Sequence, residues 1–177
     1  MGLMIAPMLL LAAVDVHREG KAPMQPGATA FGAIADCQYC DVVRTSGRRY
    51  ALSNEKLASC VDALNQMDLA YTIHLGDFID RDWKSFDVVG PIFERLQMPH
   101  YHVLGNHDFS VADHLKKDVP SQMGMPSNYY DFSQDGWRYV ILDGNDVSFH
   151  AYPKKSSLLR PRSVNSNRYH EVRVYAK

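Results

Sequence analysis

Tyr71-Thr72-Ile73-His74-Leu75-Gly76-Asp77-Phe78-Ile79-Asp80 is a short, mostly apolar run, closed by a glycine and followed by two aspartates. Its length and bounding glycine predict a buried strand that ends at Gly76. Two other stretches share this form. Phe31-Gly32-Ala33-Ile34-Ala35 runs into Asp36, and Tyr101-His102-Val103-Leu104 is closed by Gly105 before Asn106, His107 and Asp108. Between the first two runs, Leu57, Cys60, Val61, Leu64 and Met67 recur every three or four residues, which is one apolar helical face. Phe86, Val89, Ile92, Phe93 and Leu96 give a second face before the third run, and Pro91 is expected to kink that helix or stand in its first turn. The order β-α-β-α-β predicts an α/β fold with a parallel sheet and crossover helices.

Further along, Asn128–Phe132 and Trp137–Leu142 read as two strands around a Ser133-Gln134-Asp135-Gly136 turn. Residues 15–30 are polar with Gly and Pro, a linker into the domain. From Lys154 to Asn167 neither periodicity persists, and only Glu171–Tyr175 alternates like a strand. No internal repeat is present. These shifts divide the chain into an N-terminal extension (1–30), a domain (31–152) and a basic, divergent tail (153–177).

The chain of 177 residues has 46% hydrophobic and 22% charged residues, a globular composition with room for one core. A net charge of −1 argues against a dedicated nucleic-acid binder. The three cysteines, Cys37, Cys40 and Cys60, are too few and odd in number for a disulfide framework. Cys37-x-x-Cys40 lacks the second pair that a zinc knuckle needs. Leu3–Val14 is a 12-residue apolar run, too short to span a bilayer. It has the length of a secretory signal core, but no Lys or Arg precedes it, and the small-residue site Ala28-Thr29-Ala30 lies well downstream. A cytoplasmic protein without a stable membrane anchor is expected; the alternative is export through residues 1–14. Oligomeric state is not legible.

The chemistry gathers at the strand ends. The first strand delivers Asp36 and Gln38, the second Asp77 and Asp80, and the third Asn106, His107 and Asp108. In open α/β sheets, ligands bind beyond the carboxyl ends of the strands. One acidic loop there is commonly a helix cap; three on adjacent strands point to a shared site. Carboxylates and side-chain amide oxygens suit hard divalent ions, and an imidazole suits manganese, iron or zinc. Gly76 and Gly105 permit the sharp turns such a cluster needs.

Ala35-Asp36-Cys37-Gln38, His74–Asp80 and Gly105-Asn106-His107-Asp108 together resemble the first three blocks of the calcineurin-like metallophosphoesterases. Most members have Asp-x-His in the first block. Gln38 in the histidine's place resembles the manganese-dependent ADP-ribose/CDP-alcohol diphosphatase branch, as do Arg48-Arg49-Tyr50 and Asn128–Phe132. The likeness covers about residues 31–150. It implies an α/β/β/α sandwich and two divalent ions, manganese first, with iron, zinc or magnesium as alternatives. By position, Asp36 and Gln38 would hold one ion, Asp77 would bridge both, and Asn106 would bind the second. His107 would protonate or stabilise the leaving oxygen, with Asp108 orienting its ring and Asp80 supporting the loop. The implied substrate is a small phosphorylated compound, best a nucleotide diphosphate. A phosphodiesterase or phosphomonoesterase of the same superfamily is the first alternative, and a catalytically inactive member is the second.

The superfamily's later isolated histidine and Gly-His-x-His block have no counterpart here: His150 and His170 stand in other contexts. The loss of pattern after Tyr152 leads us to expect an interrupted or truncated reading frame, the alternative being a short member with its own ending. Of the remaining histidines, His74 is expected to pack in its strand, His100 and His102 to share one face, and His17 and His114 to be exposed.

Overall fold

A computed structural model describes residues 29–42, 47–146 and 148–153. Residues 1–28 of the N-terminal extension, with His17, and residues 154–177 of the basic tail, with His170 and the Glu171–Tyr175 alternation, lie outside them.

Strands β1 (Phe31–Ile34), β2 (Tyr71–His74) and β3 (His100–His102) pair in parallel in the order β1-β2-β3. Helix α1 (Ser53–Leu64) links the first pair and α2 (Lys84–Phe93) the second. Two crossovers of the same hand, stepping in one direction, place both helices on one face of the sheet. The apolar stripes meet there: Leu57 and Val61 of α1 and Phe86, Val89 and Phe93 of α2 are buried in one cluster. Pro91 lies in the last turn of α2, not in its first turn. The helix begins at Lys84, ahead of the apolar stripe, so the missing proline N–H falls where the helix is already ending.

The other face of the sheet carries an antiparallel hairpin, β4 (Tyr130–Gln134) and β5 (Trp137–Ile141). Its turn is only Asp135-Gly136, both at positive φ (51° and 81°), because Ser133 and Gln134 already pair in the ladder. Alternation along the strands sorts the side chains. Tyr71 and Tyr101 face the hairpin; Tyr101 stacks on Phe132 at 3.5 Å, and Tyr71 meets Phe132 and Tyr139 edge-on. His74, His100 and His102 face the helices, where all three rings pack against Phe93. His100 and His102 therefore share one side of β3, and His74 is a packed strand residue, as the alternation predicts. His114 is exposed.

The free edge of β3 is covered in an economical way. The Tyr130 hydroxyl accepts the His102 N–H (3.1 Å) and donates to the His102 carbonyl (2.6 Å). One side chain of the second layer thus satisfies both edge groups of that residue. The described residues form three layers, α/β/β, of the expected four. Among them, no helix is long and apolar enough to cross a membrane. A short helix α3 (Val119–Gln122) adds Val119 to the helix-side core.

Candidate metal centre

The parallel pairing continues past the strand ends and draws the first two loops together. Asp36 N–H donates to Gly76 O (3.2 Å), Gln38 N–H to Asp77 O (2.8 Å) and Tyr39 N–H to Phe78 O (3.3 Å). The chain reverses sharply while holding this register, which forces unusual backbone angles. Asp36, Gln38 and Asp77 all lie at positive φ (55°, 46° and 56°). Non-glycine residues held in this region store strain, and such strain collects at functional sites. A carboxylate or amide side chain is the only reason the sequence gives for not placing glycine there.

The third loop closes against the second. A Cβ on Gly105 would fall on the backbone N and carboxylate of Asp77, and one on Gly76 would lie 2.8 Å from Gly105 N. Both positions are glycine because two backbones cross here. His107 N–H donates to Asp77 Oδ1 (2.9 Å), while Asp77 Oδ2 lies 3.2 Å from Gln38 Nε2. Gln38 Nε2 is also 3.4 Å from Asp36 Oδ1. Asp36, Gln38, Asp77 and His107 thus converge. Asn106 stands half-buried between Gly105 and His107, its amide without a hydrogen bond among the described residues.

The expected role of Asp108 is corrected by the geometry. Its carboxylate is fully buried and accepts four backbone N–H groups: Asp77 (3.1 Å), Phe78 (2.8 Å), Ile79 (3.2 Å) and Gly105 (2.8 Å). Both oxygens are consumed in stapling the second loop to the third, so none is left for the imidazole. Burial pushes its carboxyl up to about 7, and the backbone donors hold it down in part. The partner of His107 is Asp80 instead. His107 Nδ1 lies 3.2 Å from the Asp80 carbonyl and 3.3 Å from its Oδ1. Asp80 is buried, and its Oδ2 accepts Arg81 Nε (2.6 Å) and the Cys40 thiol (3.8 Å). Arg81, not anticipated from the sequence, lies over the buried Tyr50 ring at 5.8 Å. Its position directly after a site aspartate was the available signal. Cys37 and Cys40 are free thiols turned to different partners, Ser53 O and Asp80, and burial pushes Cys37 up to about 12. Neither redox nor zinc use of the pair is supported.

The donor chemistry fits a hard cation. Two carboxylates face each other across one amide; burial first, and then the negative charge of Asp77, raise the Asp36 carboxyl, with His107 opposing. A divalent ion would relieve that repulsion. Rotating the Gln38 amide by half a turn presents its oxygen in place of its nitrogen. Among the described residues, no three of His, Cys, Asp and Glu form a ligand group. The set therefore depends on amide oxygens: Asp36, Gln38 and Asp77 for one ion, Asp77 and Asn106 for another.

The calcineurin-like phosphoesterase profile matches residues 29–173. The chain belongs to the calcineurin-like phosphoesterase family. Within this family it is 31% identical to the manganese-dependent ADP-ribose/CDP-alcohol diphosphatase of Oryza sativa, over 78% of this chain and 47% of that protein. The protein of the same name from Arabidopsis thaliana is 30% identical, over 77% and 48%. The crystal structure of a dimetal phosphatase from Danio rerio superposes with a TM-score of 0.60 at 26% identity, covering 73% of this chain and 48% of that one. The chain thus spans about half the length of these phosphoesterases.

Proposed function

We propose that the chain hydrolyses a phosphoric anhydride or ester bond with two divalent ions, manganese by preference. The substrate class is a nucleotide diphosphate such as ADP-ribose or a CDP-alcohol. The observation that carries this reading is the convergence of Asp36, Gln38 and Asp77, with the His107 backbone N–H on Asp77, at the ends of three adjacent strands. The names of the relatives and the glutamine in the first block support the diphosphate choice.

Bound ions would polarise the phosphorus–oxygen bond and supply a water nucleophile at neutral pH. The chain's own residues do the rest. Asp77 offers one carboxylate oxygen to the His107 amide and the other to the cluster, which fixes its plane. Asp80 holds His107 by Nδ1, and Nε2 is then the nitrogen that can give a proton to the leaving oxygen. Asn106, in the same loop, would offer its amide, unpaired among the described residues, to an ion or a phosphate oxygen.

The test is turnover of ADP-ribose, CDP-choline and an aryl phosphate by the folded chain with added manganese. Hydrolysis of the first two in preference to the third, abolished by Asp77→Asn, is expected. Equal rates on all three would favour the phosphodiesterase or phosphomonoesterase reading. The short ligand set favours one further possibility, a metal- or phosphate-binding protein without turnover. Manganese binding that Asp77→Asn removes, with no hydrolysis of any of the three compounds, would establish it.

A further inference from the structure

Gly105 sets the metal centre a difficulty. The crossing with Asp77 excludes a side chain there, so the residue directly before Asn106 is the one with the widest backbone freedom. Asn106 and Asp77 make up the sparser of the two ion sites, and the Asn106 amide has no hydrogen bond among the described residues. Its direction therefore depends on the peptide unit that enters Gly105.

That unit is held at both ends. The Gly105 N–H donates to Asp108 Oδ2 (2.8 Å), and the Leu104 carbonyl of the same peptide accepts Asn145 Nδ2 (3.3 Å). A peptide is planar, so fixing its N–H and its C=O together fixes its rotation about the chain. Asp108 belongs to the third loop itself. Asn145 belongs to the second layer, in the segment that follows β5.

Asn145 is braced for this contact. It is buried, and its amide must turn the nitrogen to Leu104, because a carbonyl only accepts. Its backbone N–H donates to Asp143 Oδ1 (2.8 Å), while Asp143 Oδ2 accepts Asn128 Nδ2 (2.8 Å). Asp143 is buried as well. Buried polar groups are costly unless each finds a partner. Here the chain of partners Asn128–Asp143–Asn145 ends on the one carbonyl whose rotation directs Asn106.

We propose that Asn145 is a positioning residue for Asn106, braced from the second layer by Asp143 and Asn128. It fixes the Leu104–Gly105 peptide and, through it, the amide offered to the ion that Asp77 and Asn106 would share. The assignment rests on the two-ion reading of the metal centre and adds to it a residue that lies outside all three strand-end loops. A side chain that merely paired a buried carbonyl would affect stability alone.

Manganese uptake followed by electron paramagnetic resonance tells the ions apart. The signal of the free ion counts those bound, and two ions about 3.5–4 Å apart give a coupled spectrum. The native chain should take up two. Asn145→Leu nearly keeps the side-chain volume and loses the donor. It should retain the ion of Asp36, Gln38 and Asp77, weaken the other about tenfold or more, and lose the coupled spectrum at equal metal. Asn145→Ala, a second route to the same loss, should behave alike and serves if Asn145→Leu does not fold. Tyr130→Phe loosens the same layer at His102 without touching Leu104, and should retain both ions. The proposal is overturned if a folded Asn145 variant binds both ions as tightly as the native chain, or if Tyr130→Phe weakens the same ion equally. Failure of the metal-centre reading looks different: the native chain takes up fewer than two ions, or its uptake is unchanged in Asp77→Asn, and either removes the proposal with it.

Discussion

Replacing His74 by phenylalanine should flatten the chain's acid sensitivity. The His74 ring is fully buried between Phe78, Phe93 and His102, and both its nitrogens lack a hydrogen-bond partner among the described residues. Burial pulls its pKa down from 6.5 to about 3. The folded chain therefore keeps His74 neutral where the unfolded chain protonates it. A base depressed in the folded state contributes full stability above pH 6.5, and that stability declines as pH falls from 6.5 towards 3. At 1.36 kcal/mol per pH unit, lowering the pH to 5 removes about 2 kcal/mol through this residue alone. That is a large share of a domain's typical 5–15 kcal/mol. His102, also buried and lowered, adds in the same direction, whereas the raised Asp108 opposes it. The wild-type curve mixes all three, so the informative quantity is the difference between wild type and variant. Urea unfolding followed by Trp83 and Trp137 fluorescence at pH 7 and pH 5 measures it. His74→Phe should equal or exceed wild type at pH 7, since no hydrogen bond is lost, and gain about 2 kcal/mol over it at pH 5. Parallel pH curves for the two chains would refute the reasoning.

Other perturbations probe the site and its frame. Asp36→Gly should raise stability by about 1 kcal/mol in thermal unfolding, by releasing positive-φ strain, while weakening manganese binding. Gly105→Ala should lower stability by about 1–3 kcal/mol and weaken manganese binding, because its methyl group collides with Asp77; unchanged manganese titration would count against the crossing. Tyr130→Phe should lower stability by about 2 kcal/mol in urea, leaving both His102 edge groups unpaired, with manganese binding retained.

Much of the frame is legible in the chain. The β-α-β-α-β order follows from two helical faces set between three short apolar runs, and Leu57, Val61, Phe86, Val89 and Phe93 occupy the core that this periodicity predicts. Strand limits move by one or two residues, since hydrogen bonding and not hydrophobicity ends a strand. The hairpin turn contracts to Asp135-Gly136 because cross-strand pairing carries Ser133 and Gln134 into the ladder. Asp36, Gln38 and Asp77 meet as their strand-end positions suggest.

The division of roles around His107 is a different matter. Nothing local distinguishes Asp80 from Asp108 as the partner of the imidazole; adjacency in the chain even favours Asp108. The 3-10 turn that follows Asn106 sends Asp108 inward to four backbone amides and leaves His107 beside Asp80, from the neighbouring loop. The sequence by itself determined which residues arrive at the sheet's edge, since strand order and periodicity are encoded locally. Tertiary structure alone decided which carboxylate became a staple, which one holds the imidazole, and that Asp36, Gln38 and Asp77 sit in strained backbone. Those outcomes depend on how separate loops cross, and the packing of the whole sheet sets that angle.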